Sequence, residues 1–520
     1  SPPLFVEPKA MALFAEIPSD DDARVFDIKS PVTLESIGQF EAATEDDVRV
    51  AVDRARKAQG AWASRSFKAR SEVLWALVDQ LVERQDEIVE LVVKETGKTI
   101  QEAITMEVMA PCMQISHYAK YGPRYLKSVT KRPAGVMRFS KKVTLHYQPL
   151  GVVGLITPWN GPVALAMNPL AQALMAGNAV IHKPSEVTPF SAVLVQEMAE
   201  AAGLPKDIYQ VLQGDGATGA ALIESGVDKI SFTGSVATGR KVGAACGRNL
   251  IPVTLELGGK DAMIVCSDAD LDRAADGAVR GSFFNTGHYC CGTERVYVPE
   301  SIYEPFVERV VDMTKRLTQA TTGASDVGAV FWDKQMDIIE DHMRDAKEKG
   351  GRVLVGGERN RSLSGYYFPP TVVTDVDNTM ELMTRETFGP VIAIQKVRDE
   401  EEALALANDS DYGLSGNVWT QDLERGARIA ERMVTGSVSV NDISVTYGIP
   451  EAPFGGVKES GVGYVNGEIG IRGYCHIHPV IVDTSKKAQG GYPYTEESAA
   501  GMRRMLKTVF GNKILRKLFV

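Results

Sequence analysis

From Gly151 onward the chain alternates short β-branched apolar runs with helical stretches, and this alternation constrains the fold more than any other feature. The runs GVVGLITP, NAVIHKP and VDKISFTGS are apolar on consecutive positions, so each reads as a strand buried on both faces. Strand–helix–strand order predicts a parallel sheet with helices on both faces. A second α/β block spans about 261–453, with strand candidates DAMIVC, RVYVP, VIAIQKV, GNVWT and GSVSVN. At 520 residues the chain exceeds the roughly 250–300 at which a single core stops growing, so two or three substructures are expected.

The first 150 residues have a different texture. Residues 1–40 read as an arm with short strands. Thr44 followed by Asp47 marks a helix start, and Val48, Ala51, Val52 and Ala55 then recur at helical spacing. Helical patterns follow over about 68–95 and 98–121. In KKVTLHYQPL, Val143, Leu145 and Tyr147 alternate with Thr144, His146 and Gln148, as in a half-buried antiparallel strand. CHIHPVIVD, residues 475–483, has the polar flanks of an edge strand. The apolar stretch at 162–181 could span a bilayer by length. Asn168, Pro169, Gln172, Gly177 and Asn178 interrupt it, which predicts a buried helix followed by a strand.

Hydrophobic residues make up 44% and charged residues 24%, an ordinary soluble composition. A formal charge of −10 argues against nucleic-acid binding, which needs a basic face. Six scattered cysteines build no disulfide framework and suit a reducing, cytoplasmic compartment. SPPLFVEPKAMALF has no charged segment leading into a long apolar run, so no signal peptide is expected.

Several short stretches carry chemistry. After the strand VDKISFT, Gly234, Ser235 and Gly239 would let backbone amides and a helix N-terminus approach a pyrophosphate; a tight turn without ligand accounts for them equally. In NAVIHKPSE, an acidic residue past a strand end, Glu186, could meet ribose hydroxyls, or Lys183 and Glu186 could be a solvated pair. Glu256, between Leu255 and Leu257, has the apolar surroundings that suit a general base, or it is a structural partner of Lys260. Asn160 in LITPWNGP could donate to an oxyanion or cap a turn. In FFNTGHYCCGTERV, residues 283–296, His288, Cys290 and Cys291 raise four readings: metal ligands, a disulfide, a nucleophile or packing. No second ligand cluster stands at zinc-like spacing, and a vicinal disulfide is strained, so no metal is expected. A thiolate nucleophile at a helix start or a small buried hydrophobe remains.

Taken together these motifs resemble one family. ITPWN, HKPSE, FTGS, LELGGK, N-x-G-x-x-C, ETFGPV at 386–391 and PFGGVKESG at 453–461 occur in the order found in aldehyde dehydrogenases, over roughly residues 26–483. Glu256 and Cys290 stand 34 positions apart, as that family's base and nucleophile do.

The resemblance implies an α/β fold with a Rossmann-like cofactor domain, an α/β catalytic domain and a small β oligomerisation arm. The expected division is 1–127 and 151–258 for NAD binding, 259–455 for catalysis, 128–150 and 470–485 for the arm, and 491–520 for a tail. It implies that Cys290 attacks an aldehyde, that Asn160 and the Cys290 N–H hold the oxyanion, and that Glu256 activates water against a thioester. Thr157, Pro158, Trp159, Lys183, Ser185, Glu186, Gly234, Ser235, Gly239, Leu257, Glu386 and Phe388 would bind the dinucleotide. Glu186 would repel a 2′-phosphate, which favours NAD over NADP. Val163, Met167, Tyr289, Cys291 and Tyr447 would line a tunnel for an apolar or aromatic aldehyde. His288 departs from the family pattern, which usually has Gln there. An acylating, coenzyme A-dependent semialdehyde dehydrogenase or a non-catalytic relative are the alternatives; Glu256 argues against the first, and the intact Cys290, Glu256 and Asn160 against the second. A homodimer or homotetramer is expected.

The tail carries a pattern of its own. Met502, Met505, Leu506, Val509 and Phe510 recur at helical spacing, and Ile514, Leu515, Leu518 and Phe519 extend the stripe. Arg503, Arg504, Lys507, Lys513, Arg516 and Lys517 add positive charge without an acid. Docking on its own subunit or a neighbour, or peripheral contact with an anionic membrane, are both open.

Overall fold

The computed structural model describes residues 24–321, 324–443, 445–486 and 492–519. Residues 1–23 of the expected arm, and the side chains of Leu518 and Phe519 in the tail stripe, lie outside the described residues. The rest of the arm is an antiparallel hairpin, Val25–Lys29 with Ser36–Glu41.

The first parallel sheet runs, in spatial order, Val253–Glu256, Lys229–Thr233, Val152–Ile156, Ala179–Lys183 and Tyr209–Val211, and Gly461–Val462 adds antiparallel beside Val253–Glu256. From Val152–Ile156 the chain builds outward to Tyr209–Val211, then crosses back to lay Lys229–Thr233 on the other side. Strand order therefore reverses between Val152–Ile156 and Lys229–Thr233. A crevice opens above the carboxyl ends of strands at such a reversal. The stretch at 162–181 is the buried helix Ala164–Ala176 and the strand Ala179–Lys183, as its interrupting polar residues predict. No helix among the described residues is long and apolar enough to cross a membrane.

The second sheet has seven strands in the order Arg352–Val355, Thr371–Thr374, Val391–Val397, Thr293–Pro299, Asp261–Val265, Ser415–Trp419 and Ser437–Val440. All pairings are parallel except the first. The five strand candidates of this block are all present; Arg352–Val355 and Thr371–Thr374 are too short and too polar in context to stand out in sequence. A third sheet joins the two arm segments: Lys141–Pro149 pairs antiparallel with Cys475–Asp483 along its whole length and with Val129–Lys131 on its other side. Cys475–Asp483 is an outer strand, as its polar flanks suggest.

The helical patterns of the first 130 residues divide more finely than the periodicity shows. Thr44 and Asp47 form a reciprocal capping box at the start of Glu45–Ala63. The pattern at 68–95 is two helices, Phe67–Glu83 and Gln85–Thr96, parted at Arg84. That at 98–121 runs through Ile100–Glu102, a π-helical turn at Ala103–Met109, and Ala110–Leu126. Pro111 lies just past this turn and has no N–H to give to the carbonyl four residues back, so the ladder is already interrupted where the chain widens.

The wide turn carries a buried ion pair. Lys98 and Glu107 are both inaccessible and donate and accept directly. Glu107 also accepts from the Val163 and Ala164 amides, at 3.0 and 2.9 Å, which caps the buried helix Ala164–Ala176. Lys98→Met would strand the Glu107 carboxylate without its cation. A loss of about 3–5 kcal/mol is expected in urea unfolding, the cost of an uncompensated buried charge.

The tail forms two helices, Glu496–Val509 and Lys513–Phe519, whose described side chains are exposed or half-buried. On its own subunit the tail meets the single turn Gly135–Phe139, and most of its apolar stripe faces outward.

Candidate active site

Four strand ends of the first sheet deliver side chains to the crevice. Ile156 leads into Thr157, Pro158, Trp159 and Asn160; Lys183 is followed by Ser185 and Glu186; Thr233 by Gly234 and Ser235; Glu256 by Leu257 and Gly258. The amino ends of the second sheet face them. Cys290 precedes Thr293–Pro299, and Glu386 and Phe388 precede Val391–Val397. Together they line one cavity of about 890 Å³, within the usual size range for cofactor sites.

Arg24, Asp215, Lys241, Trp332, Gln335 and Ile338 also line it and were not anticipated. Arg24 bonds Asp215 at 2.6 Å, a contact between residues 191 apart that leaves no local signal. Trp332 begins the helix Asp333–Glu348, whose amphipathic pattern reads as ordinary packing.

Five expected site residues do not line this cavity or the smaller chamber described below. Gly239 lies under the crevice floor, where a Cβ would stand 2.4 Å from Leu257 Cδ2; its bareness lets helix Val236–Arg248 approach the strand end. Val163 and Met167 belong to the fully buried core, because their helix is covered on every side. Cys291 is buried with Leu414, Phe454 and Val465, and the half-buried Tyr289 turns its ring edge-on to Phe284. Only Tyr447 of the expected tunnel residues borders a chamber.

The cavity suits a dinucleotide. Ser235 caps Val236–Arg248, accepting from the Thr238 amide, and places the helix N-terminus, with its positive dipole end and free first-turn amides, at the cavity wall. A Cβ on Gly258 would fall 2.3 Å from the Glu386 carboxylate, so the backbone there is bare to the ligand side. Lys183 donates to the Gly214 carbonyl at 2.9 Å and stands 3.6 Å from Glu186. Burial lowers its pKa, against which Glu186 and Asp215 act. The Glu386 carboxyl accepts from the Gly259 amide and is pushed up to about 8 by burial. Thr157 is oriented by the buried His182, 2.7 Å from its hydroxyl.

The segment before Cys290 is bent by three consecutive left-handed residues, Asn285 (φ 56°), Thr286 (58°) and Gly287 (75°). A Cβ on Gly287 would stand 2.1 Å from the Gly389 carbonyl oxygen, so only glycine fits. A branched Thr at positive φ costs energy that the surroundings must offset. They do so through Asn285: its amide N–H donates to Glu102 at 2.6 Å, and its side chain donates to the Asn160 and His288 carbonyls at 3.0 and 2.8 Å. Asn160 is buried, its carbonyl also accepting from Lys98 at 3.2 Å and its side-chain amide donating to His288 at 3.1 Å.

His288 is buried and belongs to no metal-ligand cluster; none occurs among the described residues. Nδ1 lies 2.7 Å from the Phe388 carbonyl, so it carries the hydrogen, and Nε2 accepts from the Phe331 amide at 3.3 Å. Burial pushes its pKa down to about 3, and it is neutral at physiological pH. Its ring sits among Trp159, Phe331 and Phe388. It staples the Cys290 loop to the segment carrying Phe388.

Both expected reactive groups titrate above their ordinary range. The Cys290 thiol is raised by its hydrogen bond with Cys291 and by burial, and Glu256 by burial. Lys260, the alternative partner of Glu256, is instead paired with Glu294. Neither Glu256 carboxyl oxygen has a hydrogen-bond partner among the described residues. Glu256 and Cys290 also border a second chamber of about 20 Å³ with Tyr447, Leu165 and Phe454, enough for one water molecule. None of the six cysteines is joined in a disulfide.

A profile of the aldehyde dehydrogenase family matches residues 17–480. A protein of Mycobacterium ulcerans (strain Agy99), provisionally named a succinate-semialdehyde dehydrogenase of the NADP(+) type, is 37% identical over 447 residues, 85% of either chain. The chloroplastic betaine aldehyde dehydrogenase of Atriplex hortensis is 37% identical over 475 residues, 89% of this chain and 94% of its own. The solved NAD+ complex of an aldehyde dehydrogenase from Bacillus cereus superposes with a TM-score of 0.85 at 31% identity, covering 89% of this chain and 94% of that one.

The staple can be tested directly. His288→Ala removes both tethers, and a fall in kcat of roughly 10²-fold is expected in steady-state assays, the scale of a 1 Å misplacement. His288→Gln, able to donate and accept at once, should keep most of the rate. Equal losses in both variants would show that the ring's bulk, not its hydrogen bonds, is what counts.

Proposed function

The chain belongs to the aldehyde dehydrogenase family, and we propose that it oxidises an aldehyde to a carboxylic acid with NAD as acceptor and water as the second substrate. The observation that carries this reading is the meeting of Cys290, Asn160 and Glu256 at one cavity, with a one-water chamber bordering Cys290 and Glu256. Cys290 sulfur bonds the aldehyde carbon, its proton lost on the way to thiolate. The oxyanion is met by the Asn160 amide and the Cys290 N–H. The dinucleotide, when bound, supplies the hydride acceptor. At Cys290 the product of oxidation is a thioester. Glu256, unpaired and raised in pKa, takes a proton from water, whose oxygen displaces the Cys290 sulfur and releases the acid.

In this reading Lys183, Ser185 and Glu186 hold the adenosine ribose, Gly234 and Ser235 the pyrophosphate, and Glu386 and Phe388 the nicotinamide ribose, with Thr157, Pro158, Trp159 and Leu257 as walls. Gly239 acts through packing. Glu186 disfavours a 2′-phosphate. One observation favours the other dinucleotide: the cation Lys241 lines the same cavity, and the M. ulcerans relative is named for NADP(+). The ratio of kcat/KM for NAD and NADP, measured side by side, decides; a ratio below one would reverse the preference. Tyr447 and Phe454 by the inner chamber make an apolar or aromatic aldehyde the preferred substrate class. The reading keeps 1–127 with 151–258 as the cofactor unit and 259–455 as the catalytic unit. It makes 128–150 with 470–485 the contact surface of a homodimer or homotetramer, in a cytoplasm where six cysteines without a disulfide stay reduced.

Cys290→Ala should lower aldehyde-dependent dinucleotide reduction by at least about 10³-fold. Glu256→Gln should leave a burst of reduction followed by a stalled thioester, with turnover down roughly 10²–10⁴-fold. A variant that turns over at the wild-type rate would remove Glu256 from the mechanism. Both groups must lose a proton, and both hold it above their ordinary range, so kcat/KM should climb from pH 7 into the alkaline range. A profile flat from pH 6 to 9 would contradict that assignment.

A further inference from the structure

The segment that carries Glu386 and Phe388 has no regular structure to hold it. Residues 386–388 lie between the helix Glu381–Thr384 and the strand Val391–Val397 and belong to neither. Phe388 is left-handed (φ 48°), a conformation that an aromatic residue keeps only when its surroundings enforce it. Here side chains do so. The Thr387 carbonyl accepts from Gln335 Nε2 at 2.8 Å, and the Phe388 carbonyl from His288 Nδ1 at 2.7 Å. The two amides go to one carboxylate: Thr387 N–H donates to Glu294 Oε2 and Phe388 N–H to Glu294 Oε1, each at 2.8 Å.

Glu294 is buried, and so is its counter-charge. Lys260 Nζ pairs with Glu294 and donates to the Thr387 hydroxyl at 3.2 Å. Neither Glu294 nor Lys260 lines the cavity, so neither meets a ligand there. Their chain neighbours do the work at the wall. Lys260 follows Gly259, whose amide donates to the Glu386 carboxyl at 2.9 Å. Glu294 stands in Thr293–Pro299, the strand that follows Cys290. A buried ion pair adds little net stability over an apolar replacement, so the geometry that this one imposes is its distinguishing feature. We propose that Glu294, oriented by Lys260, is a positioning residue for the dinucleotide: by accepting both amides it sets where Glu386 and Phe388 meet the nicotinamide ribose, and it ties that place to the strand leading from Cys290. This rests on the dinucleotide reading of the cavity given above.

The test is NAD affinity of the purified full chain, with NADP in parallel, read as quenching of tryptophan fluorescence, because Trp159 and Trp332 stand in the cavity wall. In Glu294→Gln a single carbonyl oxygen must serve two amides, and Lys260 loses its counter-charge. The dissociation constant and the KM for NAD should both rise about tenfold or more, the scale of one or two lost hydrogen bonds, with kcat changed less than KM. Alkylation of Cys290 by iodoacetamide without dinucleotide, followed on its peptide by mass spectrometry, should keep the wild-type rate. K260M/E294M removes both charges at similar volume, so no buried charge is stranded and the fold is kept. It should melt close to the wild type and show the same weakened affinity, since no acceptor remains for the two amides. A folded K260M/E294M that binds NAD as tightly as the wild type overturns the proposal. An equal fall in Cys290 alkylation also overturns it, by making the pair general support for the site. A wild type that no dinucleotide quenches overturns the cofactor reading itself, and the proposal with it.

Discussion

The main-chain carbonyl of Asn160 is where the structure is tied together. It accepts from Lys98 and from the Asn285 side chain at once, so the loop after the helix Gln85–Thr96, the loop after the strand Val152–Ile156 of one sheet and the bend before Thr293–Pro299 of the other are fastened at a single atom. The two sheets have separate cores, and this atom, with the Asn160 side chain on His288 and the pairing of Gly461–Val462 with the first sheet, fixes the width of the cleft between them. The buried Lys98–Glu107 pair supplies one arm of this knot and the left-handed turn at Asn285 the other. Buried charge and backbone strain, each unfavourable alone, are sustained here because each satisfies the other's neighbours.

The electrostatics of the cleft follow from the same enclosure. His288 is held neutral, Glu256 and Cys290 are held protonated above their usual ranges, and Glu386 is shifted in the same sense. The loss of water around a charged form leads three of these shifts, and for Cys290 it follows the hydrogen bond with Cys291. The groups nearest Cys290 therefore favour their neutral forms, while Arg24, Lys183, Glu186, Asp215 and Lys241 bring charge to the cavity wall.

Much of this was legible in the sequence, and the failures are as physical as the successes. Short β-branched apolar runs bounded by turn residues and alternating with helical stretches read as strands covered on both faces, so the two parallel sheets could be read. Gly239, Val163 and Met167 show the limit. A motif says that a residue type is required, not whether it touches a ligand or lets something else touch it, and Gly239 serves Leu257. Long-range pairs such as Arg24 with Asp215 left no trace, because neither residue repeats or alternates with anything nearby. The π-turn at Ala103–Met109 was invisible for a related reason: a widened turn keeps an almost helical apolar rhythm.

The inner chamber beside Glu256 and Cys290 has a consequence for what this scaffold can become. In the reaction we propose, its volume of about 20 Å³ makes it a size filter on the acceptor of the acyl group, not a chemical one. A thiol, an amine or an alcohol larger than water would be refused from that side whatever its nucleophilicity. The walls that set the filter, Tyr447, Phe454, Leu165 and Val465, are ordinary core side chains rather than reacting groups. Enlarging it by one aromatic ring would open the route from hydrolysis to transfer without touching the machinery that makes the intermediate. The choice between releasing a product and handing it on rests here on the packing of a few hydrophobic residues.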